Sequence, residues 1–136
     1  MKGDKIKYWS GYKYQMAEEY SCQTELRPPH DIQHPFFSIS IFGVVTAEYG
    51  YAWDGASGPT IDTKSSMRAS LIHDILYQAM GLGLLDRSFR EQADRELRKI
   101  CIEDLMWHWR AEAWYLAVRK FGENYGKTPE KATEAP

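Results

Sequence analysis

From Leu84 to Phe121 the chain contains neither glycine nor proline. So long a run without a breaker, carrying apolar residues at helical period, is committed to helix, and it exceeds the ordinary length of one helix. Phe89, Ala93, Leu97, Ile100 and Cys101 recur at that period and form one stripe. Asp86 or Ser88 suits the N-cap of this helix, its break is expected near Asp104, and a further helix then runs to about Phe121. Upstream, "SSMRASLIHDILYQAM" has the same character. Ser65 or Ser66 suits its N-cap, Gly81 or Gly83 its end, and the helix is expected over about 66–80.

The chain before this point reads as strands and loops over residues 5 to 58. "KIKYWSGYKYQM", "EEYSCQTEL" and "FFSISIFGVVTAEYGYAW" are rich in aromatic and β-branched residues, and Gly43 marks a bulge or bend in the third. "RPPHDIQHP" is expected as a loop because of its three prolines, and "DGASGPTIDTKSS" as a second loop. The expected fold class is therefore α+β: a small N-terminal antiparallel sheet followed by two or three packed helices. One globular domain over 1–122 is expected, with a polar tail, 123–136, that is disordered.

The net charge of −2 gives no broad attraction to nucleic acid. No apolar run approaches membrane-spanning length, and "MKGDKIKYWSGYKY" has no apolar core of a secretory signal. Cys22 and Cys101 admit one disulfide or two reduced thiols equally.

Within the apolar run, "ASLIHDILYQAM" seats His73, Asp74 and Tyr77. His73 and Tyr77 share a helix face, and Asp74 lies about 100° round from His73. Asp94 flanks the stripe of the next helix. A short connection makes the two helices antiparallel neighbours, so Asp94 is expected within reach of His73. A histidine oriented by a carboxylate is the arrangement of general-base chemistry. Asp74, with Asp54 and the flexible backbone around Tyr51–Thr60, offers hard oxygens of the kind that hold Ca²⁺. The same residues also have plain readings: His73 as a satisfied core histidine, Asp94 as a surface ion-pair member among Arg90, Arg95 and Arg98, Asp54 as a turn former. A third reading makes Asp54, His73, Asp74 and Asp94 a divalent-metal site for cleaving a peptide or cell-wall substrate. His30 and His34 in "HDIQH" are four apart, but the prolines around them argue for loop and against zinc.

In the last helix Trp107, Ala111, Trp114, Val118 and Phe121 form one stripe, and Leu105, Trp109 and Leu116 a second on the opposite side. One stripe is core. The other needs the sheet, a second subunit or a lipid interface, and burial by core or subunit is preferred.

The order "YAWDGASGP … RASLIHDILY … QADREL … WYLAVRKFG" resembles a family of phage and prophage proteins with D-x-A-S-x-P, H-D-x-L-Y, A-D-R and A-V-R-x-F-G motifs, over roughly residues 48–122. The resemblance implies a location in the host cytoplasm or the virion, and the second stripe of the last helix admits a homo-oligomer or a phage or host protein as partner. It implies no activity. His-Asp-x-x-Tyr on one helix and Ala-Asp on the next is also similar to phospholipase A2 of the secreted and parvovirus-capsid type. That likeness implies His73 as the base that activates water, Asp94 as its orienting carboxylate and Tyr77 as a donor to Asp94. It also implies Asp74 with Gly55 and Gly58 of the preceding loop as a Ca²⁺ site, and a phospholipid or other ester as substrate. The glycine spacing of that family's calcium loop is not reproduced here. Two functions follow as expectations: a metal-assisted ester hydrolase with a His–Asp dyad, or a non-enzymatic phage accessory or virion protein whose polar cluster is structural and whose aromatic surface binds a protein partner.

Overall fold

The computed structural model describes residues 6, 8–9, 14–53 and 64–121. Seven short strands come first: β1 (Tyr8–Trp9), β2 (Tyr14–Met16), β3 (Tyr20–Gln23), β4 (Ile32–His34), β5 (Phe37–Ile39), β6 (Val44–Ala47) and β7 (Ala52–Trp53). Three α-helices follow: α1 (Lys64–Gly81), α2 (Arg90–Glu103) and α3 (His108–Phe121), with a 3-10 turn (Arg87–Phe89) leading into α2. The class is α+β, as the run of strands and then helices implied. The strands make two antiparallel sheets, β1-β2-β7 and β3-β6-β5-β4.

Alternation decides which side of the larger sheet is buried. Tyr20 and Cys22 of β3, Phe37 and Ile39 of β5, and Val45 and Ala47 of β6 all turn inward. Their one-in-two spacing puts them on the face that closes the core with α1. Gly43 follows a turn in which its N–H bonds to Ser40 O and Ser40 N–H to Val44 O. Its φ is +86°, and a Cβ there would lie 2.5 Å from Leu26 O. The expected bend is thus a hairpin turn that only glycine fits.

"RPPHDIQHP" is not loop throughout. Ile32–His34 is the edge strand β4. The prolines flank the strand without entering it, and an edge position tolerates them. His34 Nδ1 accepts the Phe36 N–H at 3.1 Å and its ring stacks on Phe37 at 4.4 Å, so this histidine shapes a turn.

Helix α1 is the central element. Between Ser66 and Met80 every side chain is buried but Asp74 and Gln78. Both expected capping serines, Ser65 and Ser66, lie inside the helix, which begins at Lys64. The other end is closed by a Schellman motif: Leu84 N–H bonds to Ala79 O, Gly83 N–H to Met80 O, and Gly83 has φ +77°. Helix α2 starts after Asp86 caps the 3-10 turn by accepting the Ser88 N–H, and ends at Asp104 as expected.

The same Schellman motif ends α2, with Met106 N–H on Cys101 O and Leu105 N–H on Ile102 O. Here the left-handed position holds Leu105, at φ +73°. A left-handed L-residue costs about 1–2 kcal/mol, while glycine adds entropy to the unfolded chain, so Leu105→Gly is expected to raise stability by about 0.5–1 kcal/mol. Urea unfolding at unchanged slope measures this, and a lowered midpoint would contradict the strain argument.

Helix α3 packs on α2 through Ala111, Trp114 and Val118, as the first stripe predicts. Trp107 departs from it and is 70% exposed. It precedes the helix, which begins at His108, so helical period does not carry back to it. The second stripe, Leu105, Trp109 and Leu116, is exposed throughout. Cys22 and Cys101 are both buried and unbridged. Among the described residues no helix is long and apolar enough to cross a membrane.

Candidate functional site

Three helices converge on Asp94. The α2 stripe of Ala93, Leu97, Ile100 and Cys101 turns this helix against α1, and Asp94, next to Ala93, goes in with it. The carboxylate is fully buried. One oxygen, Oδ1, accepts His73 Nε2–H at 2.7 Å and the Tyr77 hydroxyl at 2.6 Å, both from α1. The other, Oδ2, accepts Arg119 Nη1–H from α3 at 2.7 Å, and Arg90 Nη1 lies 3.8 Å away.

The structure therefore brings together His73, Tyr77 and Asp94, the trio picked out by spacing. It overturns the reading of Asp94 as a surface ion-pair member: its charge is taken out of water and matched by three donors. Burial works to raise the Asp94 pKa. Hydrogen bonds from His73, Tyr77 and Arg119, with the charge of His73, outweigh it and hold the carboxyl below its ordinary value. Burial, then the hydrogen bond and negative charge of Asp94, push the Tyr77 pKa up, so its hydroxyl stays a donor.

A carboxylate only accepts, so Nε2 carries the proton and Nδ1 is the acceptor of the neutral ring. His73 packs on Tyr77 with ring centroids 4.2 Å apart, which fixes its plane. Among the described residues no hydrogen bond reaches Nδ1, and the side chain keeps 9% of its surface exposed. Chemically, this is an oriented base.

Asp74 is half-buried and takes no part in this cluster. It lies on the α1 face between Ser70, which accepts Trp53 Nε1–H at 2.9 Å, and Gln78, which accepts the Tyr51 hydroxyl at 3.0 Å. That face is turned to β7, where the chain enters the segment beginning at Asp54. Asp54, Gly55 and Gly58, the other expected metal ligands, lie outside the described residues. Among the described residues no three His, Cys, Asp or Glu side chains group to hold an ion. Asp74 is of the right chemistry for Ca²⁺ and does not make a site by itself.

Sequence reasoning placed Arg90, four residues before Asp94, among its ion-pair partners and missed Arg119. Arg119 sits in "AVRKF", close to the end of α3, and nothing local to it signals Asp94. A second network was also missed. Arg68, buried on α1, donates to both oxygens of Asp104 at 3.1 Å, to Glu103 at 2.8 Å and to the Tyr20 hydroxyl at 2.9 Å. Glu96 is likewise buried and accepts the Glu25 N–H at 2.9 Å, docking the chain after β3 on α2.

The fold and the cluster define an α+β protein in which a helix pair presents a carboxylate-oriented histidine. No family model, curated protein or solved structure matches the chain.

Proposed function

We propose that the chain is a phage-encoded hydrolase that uses His73 and Asp94 to activate water against an ester, with a phospholipid as the substrate class. The observation that carries this reading is the 2.7 Å bond between His73 Nε2 and a fully buried Asp94 carboxylate, whose same oxygen is held by Tyr77. Nδ1 takes a proton as water attacks the ester carbonyl. The imidazolium formed is stabilised by Asp94, and it returns the proton to the leaving alkoxide as the acyl–oxygen bond breaks. Tyr77 keeps the carboxylate in place. Calcium, held by Asp74 with oxygens of the preceding loop, would polarise the ester carbonyl.

Fatty-acid release from mixed micelles, with calcium and with chelator, tests this reading. His73→Ala is expected to lower the rate by about 10²–10⁴-fold, the usual worth of a positioned base. Release that survives this change in a folded variant would end the dyad reading.

A second reading rests on a different observation. Arg119 and Arg90 compensate Asp94 from the side away from His73, so the cluster also ties α1, α2 and α3 together. On this view the protein is a non-enzymatic accessory or virion component, and the cluster serves the fold. His73→Ala would then lower the melting temperature while no ester is hydrolysed by the wild type.

A further inference from the structure

We propose that the outer face of α3 packs against the same face of a second copy of this chain, forming a two-fold symmetric dimer. The face is Trp109, Glu112, Ala113 and Leu116, the spacing of a helix-packing seam, with its opposite side already spent on the core through Ala111, Trp114 and Val118. Trp107 extends the face, its ring 6.1 Å from that of Trp109. Leu105 and Leu116 are 86% and 55% exposed, Trp107 and Trp109 70% and 66%.

Size argues for a protein partner. An aromatic side chain of this kind offers on the order of 150–250 Å², so the two tryptophans with Leu116 present roughly 450 Å². With Glu112, Ala113 and Lys120 added, the face approaches the roughly 800 Å² per partner of a standard interface. It is larger than the scattered exposed leucine that any surface shows. Glu112 also stands within the face, held by Arg98 at 2.8 Å, and an ion pair is covered at less cost by protein than by hydrocarbon.

Symmetry argues for a second copy. When α3 is laid antiparallel on its own image about a point between Glu112 and Ala113, each Trp109 falls opposite a Leu116. Each small Ala113 then falls opposite a Glu112 at the axis, where its size leaves room for the Glu112 side chain held by Arg98. A bulky residue meets a smaller one at both ends, and no other surface is needed to complete the fit. The dimer stands independently of the hydrolase reading, since His73 and Asp94 belong to α1 and α2 and not to the outer face of α3.

Sedimentation velocity on the full chain over micromolar concentrations tests the proposal. The wild type is expected to reach twice the 15.8 kDa chain mass. Trp109→Glu and Leu116→Lys are each expected to weaken association at least about 100-fold, as a charge buried without a partner does. Both side chains are exposed, so far-UV circular dichroism should stay unchanged; Leu116→Lys remains a test where Trp109→Glu fails to fold. His73→Ala is expected to dimerise like the wild type. A wild type that stays monomeric, a dimer that persists in both variants, or a monomer that instead binds phosphatidylcholine vesicles would each overturn the proposal.

Discussion

Replacing Asp94 with alanine is expected to lower the unfolding free energy by about 3–5 kcal/mol, the cost of breaking a buried ion pair by removing one partner. The loss has several parts. His73 and Tyr77 lose a shared, fully buried acceptor. Arg119 and Arg90 lose the charge that holds α3 against α2. Arg119 is part-exposed and recovers some hydration, which keeps the cost from rising further. Urea unfolding measures it, and a change below about 1 kcal/mol, the worth of a surface pair, would show that the cluster is solvated.

The same group governs the acid limb of stability. The folded pKa of Asp94 lies below its ordinary value near 3.8. A depressed carboxylate contributes stability that is full above the unfolded pKa and is lost as pH falls through the folded pKa. Wild-type stability should therefore fall as pH drops below about 4, and Asp94→Asn should remove part of that slope. An equally steep acid limb in the variant would place the titration elsewhere.

The second large effect is expected at Arg68. This guanidinium is buried at the start of α1 and bridges the end of α2 to β3. Burial opposes its charge, but bonds to Asp104, Tyr20 and Glu103 more than compensate and raise its pKa, so it stays cationic. Arg68→Ala leaves two carboxylates facing each other without their cation and is expected to cost about 3–5 kcal/mol. It shares no partner with Asp94, so the two losses should add within about 0.5 kcal/mol in the double variant. Strong non-additivity in denaturant midpoints would show that α1 transmits strain between its ends. The two sites differ in a second respect. Asp94→Ala removes the orientation of His73, whereas Arg68→Ala leaves that pair intact and should spare any activity in the fraction that remains folded.

Helical periodicity was legible because it is local. The stripe of α2, the break near Asp104, the buried row of α3 and the spacing of His73 and Tyr77 all follow from neighbours along the chain. β4 was hidden because proline weighs heavily in a local reading and says little about a three-residue edge strand between prolines. Trp107 was misassigned for a related reason: period was extended past the residue where the helix starts. The left-handed Leu105 carries no local signal, since glycine is the residue that normally announces that position.

By itself, then, the sequence determined the class of fold and the helix pair, and singled out His73, Tyr77 and Asp94, because hydrophobic period and chain connectivity are properties of short segments. Only the tertiary structure decided that these three touch, that Asp94 is fully buried, that Arg119 answers its charge from α3, and that Arg68 binds the far end of the same helix pair. Those partners stand 25 or more residues from the groups they neutralise, or owe their role to burial. No residue's desolvation can be read from its neighbours in the chain, because the packing of the whole molecule sets it.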